Sequence, residues 1–222
     1  MSGLNCYGET ILDLFREPAR LIIAGFTNSG KSHLSTRLIL KYHNSFDRIL
    51  ICGVSHHSLL EHPLISGKLR VHEQIIDPLH DRNPLLPKKE QESVLFLLDD
   101  TYSEAVNSKI VLDSFVKGRH QNLTVILITQ NIFFTGKYAR DIALNASHYF
   151  LLRNRDLSQI ECLGRQLFGK THAKDLVEIY ETVVQATPHG YLLIDLSPGT
   201  PVQLRLRSYV VDERPYQSVF TW

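Results

Sequence analysis

The eight residues Gly25-Phe26-Thr27-Asn28-Ser29-Gly30-Lys31-Ser32 fit the pattern G-x-x-x-x-G-K-[ST] at every fixed position. The chemistry explains the spacing. Glycines let the backbone turn tightly, so that successive N–H groups and the start of the following helix point at one anion. Lys31 adds a mobile positive charge suited to β- and γ-phosphates, and the Ser32 hydroxyl is a ligand for Mg²⁺. With His33 directly after, the segment from Gly25 to His33 is the predicted binding site for ATP and its Mg²⁺. A glycine-rich turn that matches by accident is the alternative. The flanks argue against it, because an apolar run precedes the loop and a helical pattern follows.

Two further polar positions fall in a telling order. The apolar run Val94–Leu98 leads straight into Asp99-Asp100. At the carboxyl end of a strand beside the P-loop strand, Asp99 can hold Mg²⁺ directly or through water. A second carboxylate, Asp100, can then orient and deprotonate an attacking water. Aspartate also caps helices, and a helix is expected to start near Ser103. A tandem pair after an apolar strand favours the catalytic role, with room for one Asp to cap. The next apolar run ends in Gln130-Asn131, where an amide near the γ-phosphate can position water or sense hydrolysis. The significance of Gln130 lies in the sequence of features: phosphate loop, acidic pair, polar strand end.

The elements that must position these residues are legible as alternating patterns. Arg20–Ala24, Arg48–Cys52, Val94–Leu98 and residues 124–129 are apolar on consecutive positions, as strands covered on both faces require. Helical spacing runs through 31–43 (Leu34, Leu38, Ile39) and 103–117 (Val106, Ile110, Val111, Phe115). Strand–helix alternation predicts an α/β fold with a mainly parallel sheet and right-handed crossovers. A strand is expected at 147–152, helices at 156–168 and 172–184, and an antiparallel C-terminal hairpin from GYLLIDL, the turn SPGTP and VQLRLRSYV. Residues 62–91, rich in Pro and charge, read as loop with one short strand near Leu69–His72.

Bulk properties exclude several classes. At 222 residues the chain suits one domain, 1–222, with a core at about 19–168 and an extension at 170–222. Lys and Arg number 24 against 23 Asp and Glu, so the chain is no polycation. The amino terminus lacks the basic flank and apolar run of a secretory signal, and no stretch approaches a membrane span. Cys6, Cys52 and Cys162 fit no metal or redox spacing and read as reduced thiols, with Cys52 in the core. The 11 histidines show no metal spacing either.

The order of motifs resembles the additional-strand, RecA-like P-loop ATPases, in particular the FtsK–HerA group. The fuller stretches FLLDD, FVKGRHQNLTVILITQNIF and YFLLRNRDLSQIECLGRQLF are similar to the genome-packaging ATPases of large DNA viruses, virophages and Maverick/Polinton-type elements. The similarity spans residues 19–168. It implies a homo-oligomeric ring that hydrolyses ATP to load double-stranded DNA into capsids, with a capsid or portal protein as partner. The setting it implies is the cytoplasm or nucleus of a host cell. By the same resemblance Lys31 and Ser32 serve phosphate and Mg²⁺, Asp99 serves Mg²⁺, Asp100 activates water and Gln130 senses the nucleotide. Many relatives carry Glu where this chain has Asp100.

Between positions 109 and 155 the basic residues are Lys109, Lys117, Arg119, Lys137, Arg140, Arg153 and Arg155, against Asp113 and Asp141 only. They read either as a solvated face or as contacts to DNA phosphates and to a neighbour's nucleotide. The interleaved Phe133, Phe134 and Tyr138 are expected to pack the core. Arg119 closes the helix 103–117 that starts at the acidic pair, which puts it on the opposite edge of the sheet. There it is too far from its own nucleotide and suited to act in trans, with Arg140, Arg153 and Arg155 as competitors. Two other functions stay open: a P-loop kinase for a small acceptor, and a nucleotide-gated scaffold. No compact Arg-rich lid is visible, and the Asp-Asp and Gln pattern suits water as acceptor.

Overall fold

The computed structural model describes residues 3–8, 14, 17–53, 59, 61–78, 92–99, 101–211 and 216–222, with the backbone alone for 3–8 and 216–217. Among the described residues ten strands form one sheet: β1 (Gly3–Gly8), β2 (Arg20–Ala24), β3 (Arg48–Cys52), β4 (Leu69–His72), β5 (Val94–Leu98), β6 (Leu123–Thr129), β7 (His148–Leu151), β8 (Leu192–Asp195), β9 (Leu206–Ser208) and β10 (Tyr216–Thr221). Their order is β1-β10-β9-β8-β7-β2-β6-β5-β3-β4. From β7 to β4 every pairing is parallel, and from β1 to β7 every pairing is antiparallel. The sheet is therefore a parallel block with an antiparallel wing. The wing contains the expected hairpin, β8 with β9, and extends it by β10 and β1.

The helices are α1 (Lys31–Lys41), α2 (Tyr102–Ala105), α3 (Lys109–Lys117), α4 (Ala139–Asn145), α5 (Leu157–Phe168) and α6 (Ala173–Ala186). Alternate residues of β2 go to opposite faces of the sheet. Ile22 and Ala24 join a core with α3, α5 and α6, whereas Leu21 and Ile23 join another with Leu34, Leu38 and Ile39 of α1. This explains the consecutive apolar runs: each face needs its own set of side chains. Cys52 lies fully buried among them.

Two expectations need correction. The pattern at 103–117 is two helices, because Ser108 adopts extended backbone and its side chain accepts from Val111 N at 3.5 Å, starting α3 afresh. The acidic strand β5 is not beside the P-loop strand β2; β6 lies between them. The short helix α4 and the strands β1 and β10 had no expectation attached to them. Phe134 and Tyr138 pack against the core, while Phe133 stays 37% exposed.

Candidate nucleotide site

The phosphate loop joins the carboxyl end of β2 to α1, and its shape comes from left-handed backbone at Asn28 (φ 65°) and Gly30 (φ 101°). Gly30 is also the N-cap of α1 and brings no side-chain oxygen to the first turn, which contains no acidic residue. The positive end of the helix is thus left for an outside anion. The loop is anchored on both sides. Gly25 N donates to Thr129 O of β6 at 3.2 Å, and Phe26 N donates to Arg153 O after β7 at 3.0 Å. Lys31 Nζ folds back over the loop, donating to Gly25 O at 2.8 Å and Phe26 O at 3.0 Å. The Ser29 hydroxyl is buried with no partner among the described residues.

Asp99 is 2% exposed and sits where β5 ends. Its backbone N–H donates to Cys52 O at 2.9 Å. The neighbouring β3 is followed by Gly53 (φ 123°), where a Cβ would stand 1.8 Å from the Asp99 carbonyl oxygen, so only glycine lets the two strand ends lie this close. The result is a contact between distant residues: Ser32 Oγ donates to Asp99 Oδ2 at 3.3 Å. Two oxygens bound side by side on one octahedral Mg²⁺ are about 2.9 Å apart. The pair therefore fits a shared ion after a shift of a few tenths of an ångström. No group of three His, Cys, Asp or Glu side chains among the described residues could hold a metal. An ion here would need phosphate oxygens and water to complete its shell.

Gln130 is exposed and follows Thr129, whose carbonyl holds Gly25, so it stands at the strand end next to the phosphate loop. The segment after it is fixed from α5, since Gln159 Oε1 accepts from Ile132 N at 3.0 Å. Asp100 lies outside the described residues. Phe26, Thr27, Asn28 and His33 all face outward to some degree on the loop and first turn of α1.

The basic residues do not form one face. Arg119 lies in the 3-10 helix Gly118–Gln121 just before β6 and donates from Nε to His120 Nε2 at 3.1 Å. Its charge is felt by Arg20 at the start of β2; burial first, and then Arg119, lower the Arg20 pKa. Arg119 is therefore at the amino ends of the central strands, about 15 Å from their carboxyl ends, on the edge opposite the phosphate loop. Arg155 is at the other end, with its guanidinium 5.5 Å from the ring centre of Phe26 in the phosphate loop. Lys117 pairs with Asp113 at 3.0 Å.

The loop after β7 is set by Tyr180, whose hydroxyl donates to Leu152 O at 2.8 Å and accepts from Asn154 N at 2.6 Å. Burial pushes this phenol up to about 12, so it stays a neutral donor. One residue at the site had no sequence signal. His189, on the turn between α6 and β8, lines a pocket of about 280 Å³ with Asn28, Gly30, Lys31, Ser32 and His33.

No family model and no curated protein matches the sequence. Solved structures do match. The genome packaging NTPase B204 from Sulfolobus turreted icosahedral virus 2, in complex with sulfate, is 15% identical with a TM-score of 0.56, covering 82% of this chain and 94% of that one. The same NTPase in complex with ATP-gammaS is 16% identical with a TM-score of 0.54, covering 84% and 96%. B204, the DNA-packaging ATPase from Sulfolobus turreted icosahedral virus, is 15% identical with a TM-score of 0.50, covering 79% and 91%. At these identities the likeness is one of architecture: the chain has a P-loop NTPase-like α/β fold, the fold of these packaging NTPases.

Proposed function

We propose that this chain is an ATP-hydrolysing motor of the FtsK–HerA type that drives double-stranded DNA into a viral capsid as a homo-oligomeric ring. The observation that carries the catalytic part is the 3.3 Å contact between Ser32 and Asp99, which joins the phosphate loop to the acidic strand end. The packaging part is supported by the fold it shares with the B204 packaging NTPases.

In this reading the loop from Gly25 to Ser32, with His33, cradles the phosphates through backbone N–H groups, and Lys31 neutralises the β- and γ-phosphates. Ser32 and Asp99 hold Mg²⁺, which supplies charge neutralisation at the phosphates. Asp100 takes the proton of a water whose oxygen attacks the γ-phosphorus while the bond to the β-phosphate oxygen breaks. Gln130 orients that water and reports whether the γ-phosphate is present. Arg119 is too far from its own phosphate loop, so a role for it is a role in trans, with Arg140 as its competitor. Arg153 and Arg155, beside the loop, belong to their own subunit's site. The portal or capsid protein is the expected docking partner, in the cytoplasm or nucleus of a host cell.

Phosphate release from ATP by the full chain, with and without double-stranded DNA, tests the reading. Stimulation by DNA supports the motor. ATP-dependent phosphorylation of a nucleoside with no DNA effect would favour a kinase, and absence of any turnover would favour a nucleotide-gated scaffold. For the ring, an Arg119→Ala subunit should be inactive alone and recover when mixed with Lys31→Ala subunits. No recovery in assembled mixtures would remove Arg119 from the interface.

A further inference from the structure

The pocket at the phosphate loop has a wall that the loop does not supply. His189 is exposed on the turn between α6 and β8, closed by a bond from Gly190 N to Thr187 O at 3.1 Å. Its imidazole hangs over the start of α1, where a Cβ on Gly30 would be 2.7 Å from Nδ1. The His189 and His33 rings are 5.7 Å apart, tilted by 40°, and both line the 280 Å³ pocket.

The turn is firmly placed. Tyr191, two residues on, is 4% exposed, packs its ring 5.6 Å from Phe150 and accepts at its hydroxyl from Val211 N at 2.9 Å. Leu192 then pairs with Leu151 in the sheet. A side chain carried by so fixed a segment is pre-positioned, which is what precise ligand contact needs. Two rings and no carboxylate make a poor metal site, whereas an imidazole N–H at a helix start beside a lysine suits an anionic oxygen.

We infer that His189 is a nucleotide-binding residue contributed by the C-terminal extension, donating an N–H to a phosphate oxygen of the nucleotide held on the loop. The inference deepens the nucleotide reading above and rests on it. It also gives the antiparallel wing a direct connection to the nucleotide, because the turn bearing His189 leads into β8.

The test is the dissociation constant for ADP with Mg²⁺, measured on the full chain for wild type, Lys31→Ala, His189→Ala, His189→Gln and His189→Phe. A lost bond to a charged oxygen weakens binding by about tenfold to a hundredfold. His189→Ala should show that loss, His189→Gln should recover most of it by keeping an N–H donor, and His189→Phe should not. Unchanged ADP affinity in His189→Ala, or recovery by Phe and not by Gln, overturns the phosphate contact. Failure of wild type to bind ADP, or equal binding by Lys31→Ala, would instead sink the nucleotide reading. His189→Gln serves as the well-folded comparison should the alanine variant lower the unfolding midpoint.

Discussion

The parallel block and the seam where the antiparallel wing joins it use similar residue types in opposite ways. In the block, β2, β3, β5 and β6 are almost wholly apolar along their lengths, and Lys31, Ser32, Asp99 and Gln130 gather where the strands end. These groups surround a space. At the seam the charges lie inside the sheet and surround each other. Asp195 of β8 accepts from Arg207 of β9 at 2.5 Å, from Thr200 Oγ1 at 3.0 Å and from Ser197 N at 2.9 Å. His148 of β7 completes the cluster, with Nε2 3.3 Å from Asp195 Oδ1 and Nδ1 2.9 Å from Ser147 Oγ. With three donors and the His148 ring around it, the Asp195 carboxylate has little left for a ligand. The difference separates groups that act from groups that hold, and each can be tested by what its loss changes.

On the acting side, Asp100→Asn should keep Mg²⁺-nucleotide binding and lose turnover by a factor of about 10² to 10⁴, since only base character is removed. Full turnover in a steady-state phosphate-release assay would remove Asp100 from the role of base. On the holding side, Asp195→Ala leaves Arg207 buried without its counter-charge, at a cost of about 3–5 kcal/mol. The unfolding midpoint should then fall by roughly 10 °C, read by calorimetry, while nucleotide affinity of the folded fraction stays put.

The seam also carries a pH signature. Burial lowers His148 to about 4, outweighing the Asp195 carboxylate, with Arg207 and Arg20 adding to the depression. The folded state therefore resists a proton that the unfolded chain takes up near 6.5. Above pH 6.5 both states are neutral and the contribution is intact; between 6.5 and 4 it is lost, by about 3 kcal/mol in all. Denaturant titrations at pH 7 and pH 4 should show a steeper loss for wild type than for His148→Gln. Parallel losses would mean that this histidine does not titrate separately in the two states.

The smallest effect is expected where the two regions meet the phosphate loop. Tyr180→Phe removes the hydroxyl that holds Leu152 O and Asn154 N, at about 1–2 kcal/mol. Because Arg153 O of the same loop accepts from Phe26 N, the KM for ATP should rise while kcat changes little. An unchanged KM would show that the loop is held well enough without the tyrosine.

How much of this was legible in the sequence follows from the same contrast. The strands β2, β3 and β5 are continuous apolar runs, and the phosphate loop is a fixed local spacing, so they are readable residue by residue. The order of strands is not local: nothing in Val94–Leu98 says that β6 comes between it and β2. The break between α2 and α3 turns on one capping side chain, Ser108, inside an otherwise helical apolar pattern. Arg119 is legible in spite of that break, because a segment leaving the acidic pair at the carboxyl ends must return to the amino ends before β6 begins. His189 reaches the site from a turn far along the chain, where no spacing links it to Lys31.

The central claim is that the groups at the strand ends act on nucleotide while contributing little to the fold. Lys31→Ala tests it most directly, with ATP turnover and unfolding midpoint measured on the same preparation. Turnover at background with an unfolding midpoint close to that of wild type is the predicted result, since the phosphates lose the loop's cation and the core is untouched. Turnover equal to wild type would contradict the account.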